Sequence, residues 1–273
     1  EEYQAKGLAA RDALRDEPLS SFCMAPHAPD TVADKSFERI ATLSAQLDLP
    51  IHMHLHETRA EIEDSVKQFG VRPLQRLHRL GLLGPNLIAV HAVHLEQGEI
   101  DLLAEHGCSV AHCPTSNMKL ASGIAPAAAL ARSGVRTGLG SDGAASNIRL
   151  DLFREMNHAA LLAKVASDDA TVLDAHSVLR MATLDGAAAL GQEHRIGSLL
   201  AGKQADLCAV RLDDPNLLPC FNPASHLVHV AGREHVSHAW VAGEARVVDA
   251  RLLKVETAEL LDIANLWHNK LDF

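Results

Sequence analysis

Short strand-like runs followed by helix-period segments recur along the first two-thirds of this chain, and that recurrence constrains the fold most. The runs are Ser21–Ala25, Ile51–Glu57, Asn86–Val90, Cys108–Ala111 and Val135–Leu139. Helical spacing follows over residues 31–47 (with Thr31 or Asp34 as cap), 59–69, 72–80, 96–106, 124–133 and 149–166. Five strand-then-helix units in a row require a parallel sheet with right-handed crossovers. Polar residues gather at the carboxyl end of every run, as they do around the mouth of an α/β barrel. A barrel of this type needs eight strands. About three are therefore expected to be absent from the amino-terminal side, and the start Glu1-Glu2-Tyr3 carries neither Met nor a first strand.

A further Ala-rich helix is expected over 174–190. From Ile196 the character changes to short strand-like runs broken by Gly and Pro: 206–211, 227–231, 236–241 and 246–249. The expected division is a barrel over 1–195, a small β domain over 196–255 and a closing helix within 256–273.

The chemistry concentrates at the strand ends. Ile51-His-Met-His-Leu-His-Glu-Thr58 reads as one strand carrying His52, His54 and His56 on a single face, with Glu57 at its end. His54, His91 and Asp142 end three different runs, and two imidazoles with a carboxylate suit Zn2+ or Fe2+. Glu57, three residues past His54, suits proton shuttling more than ligation. Taken singly, His91 reads equally well as a core residue and Asp142 as a weak cap for the 149–166 helix. His52, His56 and His94 read as structural. His112 lines a pocket or packs beneath it. His27, between Pro26 and Pro29, is held in a rigid loop.

Charge and cysteine usage exclude several classes. A net charge of −10 repels a nucleic-acid backbone. Five Cys without paired spacing form neither a disulfide framework nor a metal knuckle, which points to a reducing compartment, the cytoplasm. The sequence carries no bilayer-length apolar run and no signal peptide, so no membrane partner is expected.

Four motifs in order carry a resemblance: His-Leu-His-Glu-Thr (54–58), Val-His-Ala-Val-His-Leu (90–95), His-Cys-Pro-Thr-Ser-Asn-Met-Lys-Leu (112–120) and Ser-Asp-Gly-Ala-Ala-Ser-Asn (141–147). Together with Pro-His-Ala-Pro (26–29) and Ile196-Gly-Ser…Gly202-Lys-Gln-Ala-Asp206, they resemble the amidohydrolase superfamily across almost the whole chain. The nearest branch is the 5′-methylthioadenosine/S-adenosylhomocysteine deaminases, beside the triazine hydrolases and guanine deaminases. The resemblance implies a (β/α)8 barrel with a composite β-sandwich and a bound metal. It makes His54 the fifth-strand ligand, Asp142 the eighth-strand ligand, and His91 the sixth-strand His at the metal or its water. Glu57 becomes the proton-shuttling acid and His27 a contact to the purine ring. The family's first-strand His-x-His pair has no counterpart before Ser21. His52-x-His54 has the spacing but lies on the wrong strand, and Asp30 stands where relatives often carry an aromatic.

The expected activity is zinc- or iron-dependent hydrolytic deamination of an adenine nucleoside with a 5′-thioether. The substrate is a small purine nucleoside. Rival readings are a guanine deaminase or triazine-type amino/chlorohydrolase with the same metal centre, and a non-catalytic degenerate barrel. The exact purine, the native metal and the oligomeric state, a homo-oligomer included, stay open.

Overall fold

A computed structural model describes residues 2–271, which divide into two compact units between Gly138 and Leu139. The first unit begins with helices α1 (Glu2–Leu14) and α2 (Asp34–Leu47). Then follow β1 (Ile51–Leu55), α3 (Arg59–Phe69), α4 (Pro73–Arg79), β2 (Leu87–His91), α5 (Gln97–Glu105), β3 (Ser109–His112), α6 (Pro114–Lys119), α7 (Ala127–Arg132) and β4 (Arg136–Leu139). The sheet order is β1-β2-β3-β4, and the β1–β2 and β2–β3 ladders are parallel.

The run 21–25, expected as a strand, is reduced to one bridging residue. Met24 pairs with Ile51 in parallel sense, through Met24 N–H to the Pro50 carbonyl (2.8 Å) and His52 N–H to the Met24 carbonyl (2.9 Å). Pro26 has no N–H to donate, so the regular ladder gives way there to one further bond, from the His54 N–H to the His27 carbonyl (3.1 Å).

Local chemistry explains most helix ends. Thr58 caps α3 by accepting from the Glu61 N–H, and Gly70 closes it in left-handed backbone (φ 71°). At α2 neither expected cap acts. Ala33 holds the cap position, the Thr31 hydroxyl bonds the Ala28 carbonyl, and Asp34 faces Arg76 instead. The short α6, expected as loop, starts on Pro114, whose missing N–H and fixed φ suit a first helical position.

The core of this unit packs Phe37 and Ile40 of α2, Met53 and Leu55 of β1, Leu74 and Leu77 of α4, and Ile100 and Leu103 of α5. In β1 the odd residues Ile51, Met53 and Leu55 are buried, while His52 is exposed and His54 half-buried. Strand alternation thus presents His52 and His54 on the face away from the core. His56 departs from the expected shared face: it lies past the strand end in left-handed backbone (φ 55°), fully buried.

The second unit holds α8 (Leu152–Ser167), α9 (Ala175–Ala182), α10 (Leu184–Ala189), β5 (Leu207–Val210), α11 (Pro223–His229), β6 (Val236–Val241), β7 (Glu244–Val248), β8 (Arg251–Leu252) and α12 (Thr257–Leu271). Asp151, not Asp142, caps α8 by accepting from the Phe153 N–H at 3.1 Å. The helix expected over 174–190 breaks at Thr183 (φ −130°, ψ −95°), whose hydroxyl bonds the Leu179 carbonyl at 2.6 Å. The stretch 227–231, expected as a strand, is the end of α11 and the turn after it. Asn222 caps that helix and Pro223 opens it, so a local helix start outweighs β-branched composition. Strands β5 to β8 form one antiparallel sheet in sequence order, and Ala242-Gly243, both at positive φ, make the tight turn between β6 and β7. Among the described residues no cysteine forms a disulfide, and no helix is long and apolar enough to cross a membrane.

Candidate active site

The site in the first unit is assembled from the ends of β1 and β2 and the loops beside them. His91 and Ala92 leave β2 in left-handed backbone (φ 72° and 49°), as His56 leaves β1. Non-glycine residues in that region carry strain, of about 1–3 kcal/mol each, and surrounding contacts must hold them. The contacts are visible. The Ala92 N–H bonds the Leu55 carbonyl (3.1 Å), and the N–H groups of Val93 and His94 both bond the His56 carbonyl (3.0 Å each). The Glu61 carboxylate reaches back from α3 to the N–H groups of His56 (2.9 Å) and Glu57 (2.8 Å). Burial pushes the Glu61 carboxyl above its ordinary range, against the pull of those donors.

Three imidazoles line up on this frame. His54 stacks on His91 with ring centroids 5.4 Å apart and planes 16° apart, and His27 meets His54 edge-on at 5.1 Å. Each has a partner at Nδ1. His54 Nδ1 lies 2.7 Å from the His27 carbonyl oxygen, which only accepts, so Nδ1 carries the hydrogen and Nε2 is the lone-pair nitrogen. His27 Nδ1 lies 2.9 Å from the Thr31 hydroxyl, and His91 Nδ1 lies 2.8 Å from Asn117 Oδ1. Glu57 Oε2 is 3.5 Å from His91 Nε2, and the Ser122 hydroxyl is 3.5 Å from Glu57 Oε1. The Ser122 carbonyl in turn accepts from His94 Nε2 at 2.8 Å.

The donor chemistry fits a metal in part. A ligating His ordinarily gives its second ring N–H to a carbonyl or carboxylate, which fixes the ring and frees the other nitrogen. His54 and His91 meet that description. Yet among the described residues no group of three or more His, Cys, Asp and Glu is gathered closely enough to hold an ion. Asp142 belongs to the second unit. There its carboxylate accepts from the Gly143 N–H (2.7 Å) and the Ser146 hydroxyl (2.6 Å), with its backbone at φ 60°.

His27, His54, Glu57 and His91 are therefore brought together. His112 is buried beneath them, with Nδ1 lacking a partner among the described residues. Burial, helped by the nearby His91, lowers its pKa to about 4. His94 and His56 are structural. His56 Nδ1 faces the His94 carbonyl (3.2 Å), its Nε2 accepts from the Leu74 N–H (3.0 Å), and Arg72 grips both Glu99 and the His94 carbonyl. Burial lowers the His56 pKa to about 4, against the pull of Glu99. Sequence reasoning missed Asn117, Ser122 and Arg72. Asn117 lay inside a quoted motif without a role, and the other two carried no signal.

An acid-stability expectation follows. Unfolded, His56 and His112 take up a proton near 6.5; folded, only near 4. The unfolded chain thus binds more protons as pH falls through that window, so folding stability is full above 6.5 and declines until about 4. A separation of that size is worth about 3 kcal/mol per imidazole. Protonation of Glu61, whose folded pKa is raised, offsets part of the loss. Urea midpoints should fall steadily from pH 7 to pH 4.5; flat midpoints would contradict the two buried neutral rings.

Residues 7–246 match the model of the Amidohydrolase family, and the chain belongs to that family. A 5-methylthioadenosine/S-adenosylhomocysteine deaminase of Teredinibacter turnerae is 48% identical over 271 residues, 99% of this chain and 61% of the relative. The crystal structure of an adenosine deaminase from Xanthomonas campestris, with bound zinc, is 50% identical with a TM-score of 0.97, covering 98% of this chain and 61% of that one. An atrazine chlorohydrolase of Arthrobacter aurescens, complexed with zinc, is similar in fold at 24% identity, with a TM-score of 0.86, over 95% of this chain and 59% of its own. The chain thus spans about three-fifths of the length of the relatives it matches (61% of the first). The parallel strand–helix units and the separate antiparallel sheet are the fold of this TIM-barrel superfamily.

Proposed function

We propose that the protein hydrolytically deaminates the 6-amino group of an adenine nucleoside bearing a 5′-thioether, 5′-methylthioadenosine or S-adenosylhomocysteine. The observation that carries this reading is the carboxylate of Glu57 set 3.5 Å from His91 Nε2, beside the stacked ring of His54. A carboxylate at that distance from a lone-pair imidazole suits proton transfer to a ring nitrogen. Relatives named as deaminases of these two nucleosides support the substrate class.

In the proposed mechanism His54, His91 and Asp142 would hold the metal, zinc by preference over iron. When bound, it supplies the Lewis acid that makes water nucleophilic near neutral pH. Water adds at C6. Asp142 takes a proton from the attacking water, and Glu57 delivers one to the adjacent ring nitrogen. His91 steadies the attacking oxygen. Asp142 passes its proton to the amino nitrogen, the C6–N bond breaks to release ammonia, and the Glu57 carboxylate takes the hydroxyl proton as the C6 carbonyl of the inosine analogue forms. His27 and His112 contact the purine. The chain folds as a barrel over 1–195, a small β domain over 196–255 and a closing helix, and works in the cytoplasm.

The test is ammonia release by the full-length, zinc-supplied protein from 5′-methylthioadenosine, S-adenosylhomocysteine, adenosine and guanine. Faster release from the thioether nucleosides is expected. Release from guanine alone would move the substrate. Silence on all four with zinc bound would overturn the deaminase reading in favour of a triazine-type hydrolase.

A further inference from the structure

Asn117 is 1% exposed, and its side chain makes a single hydrogen bond. Its Oδ1 faces His91 Nδ1 at 2.8 Å, while Nδ2 has no partner among the described residues. A buried primary amide with unmet N–H groups is a poor filler, since leucine has the same branched outline and no polar atom to desolvate. Packing alone therefore does not account for an asparagine here. The bond to His91 does.

The two stacked rings differ in how their tautomers are set. His54 Nδ1 faces a backbone carbonyl, and a carbonyl leaves no choice. His91 Nδ1 faces an amide, which has an accepting end and a donating end. With oxygen presented, Nδ1 keeps the hydrogen and Nε2 is a lone pair. Nε2 and Glu57 Oε2 are then two acceptors 3.5 Å apart, a gap bridged by a proton or an electropositive atom. With the amide turned over, Nδ2 would donate to Nδ1, and an Nε2–H would close that nitrogen to a metal and make it a donor towards Glu57.

We propose that Asn117 is a positioning residue that fixes the tautomer of His91, holding Nδ1 protonated and Nε2 open towards Glu57. The use made of the open nitrogen rests on the deaminase reading; the tautomer itself is a property of this chain.

The experiment is nitrogen NMR of the full-length, histidine-labelled protein, before and after zinc is added, with His91 signals identified by their loss in His91→Gln. The wild-type ring is expected to show its hydrogen on Nδ1 and a bare Nε2 already before zinc. Hydrogen on Nε2 at that stage would overturn the proposal. Asn117→Leu is expected to lose the tautomer preference and to weaken zinc binding and kcat by about 10–100-fold, with KM little changed. Leucine is the larger side chain, so overpacking is expected to lower the variant's melting temperature without abolishing folding, and the tautomer is the deciding readout. Asn117→Asp keeps an accepting oxygen and should restore the Nδ1–H tautomer and most of kcat. A lowered melting temperature with tautomer and kcat intact would make Asn117 a packing residue and sink the idea. Should the leucine variant not fold, the wild-type and Asn117→Asp spectra decide alone. A wild-type protein that shows the tautomer but releases no ammonia would refute the deaminase reading and leave this one standing.

Discussion

Glu57→Gln is expected to lower kcat for nucleoside deamination by about 10²–10⁴-fold, the range over which a positioned acid–base group acts. Glutamine keeps the shape of the side chain and loses only the proton it would give and take. The fold should survive, because Glu57 is held through its backbone: its N–H bonds Glu61 Oε2 at 2.8 Å, and Thr58 then starts α3. Zinc content should also be unchanged, since Glu57 is assigned no place among the ligands. The pair of measurements is therefore kcat by ammonia release and zinc by elemental analysis on the same preparation. Turnover near wild type with zinc bound would remove Glu57 from the proton path. A low kcat with zinc lost would instead make it a ligand.

Arg76→Met carries the largest expected effect on stability, about 3 kcal/mol by urea unfolding. The guanidinium is 4% exposed and pairs with Asp34, with Nε at 2.7 Å. It also donates to the carbonyls of Pro29 and Val32, and lies 3.8 Å over the Phe69 ring. Methionine fills much of the volume and none of the donors. Asp34 is 48% exposed and turns to water, so the loss falls on the two loop carbonyls and the ring contact. Lysine should recover only part, because one ammonium cannot reproduce the fork. The functional consequence comes through Pro26–Val32, the loop carrying His27. Freed from Arg76 it should hold His27 less well, raising KM for the nucleoside more than it lowers kcat. A stability loss under about 1 kcal/mol would show that the buried guanidinium is replaceable by any side chain of its size.

What was legible in the sequence was local. Helix α3 came out at its expected bounds because Thr58 and Gly70 mark both ends, and β2 came out within a residue because its first four residues, Leu87 to Val90, are an unbroken apolar run. The misreadings share a cause: a short-range signal was outweighed by a neighbour. Residues 227–231 look like a strand until Asn222-Pro223 starts a helix ahead of them. Thr183 looks helical until its hydroxyl takes the Leu179 carbonyl. His56 has the parity of His54, but the strand stops one residue too soon and φ reverses sign.

The candidate residues themselves were legible where strand ends and motif spacing pointed at them: His54, Glu57 and His91. Their supports were not. Asn117 reaches His91 across 26 positions, and Arg76 reaches Asp34 across 42. No periodicity encodes pairings that only the folded chain brings about. The roles of Asp142 and His112 rest on resemblance, since the groups around each satisfy several readings.

One feature of β1 separates two kinds of evolutionary change. Odd positions face the core and even positions the opposite face, so a substitution at 52 or 54 leaves Phe37 and Leu77 little disturbed. A substitution at 51, 53 or 55 does the reverse. An inserted or deleted residue is another matter: it would exchange the two sets at a stroke, burying imidazole and exposing leucine. New specificity on this scaffold is open to replacement and closed to shifts of frame within the strand.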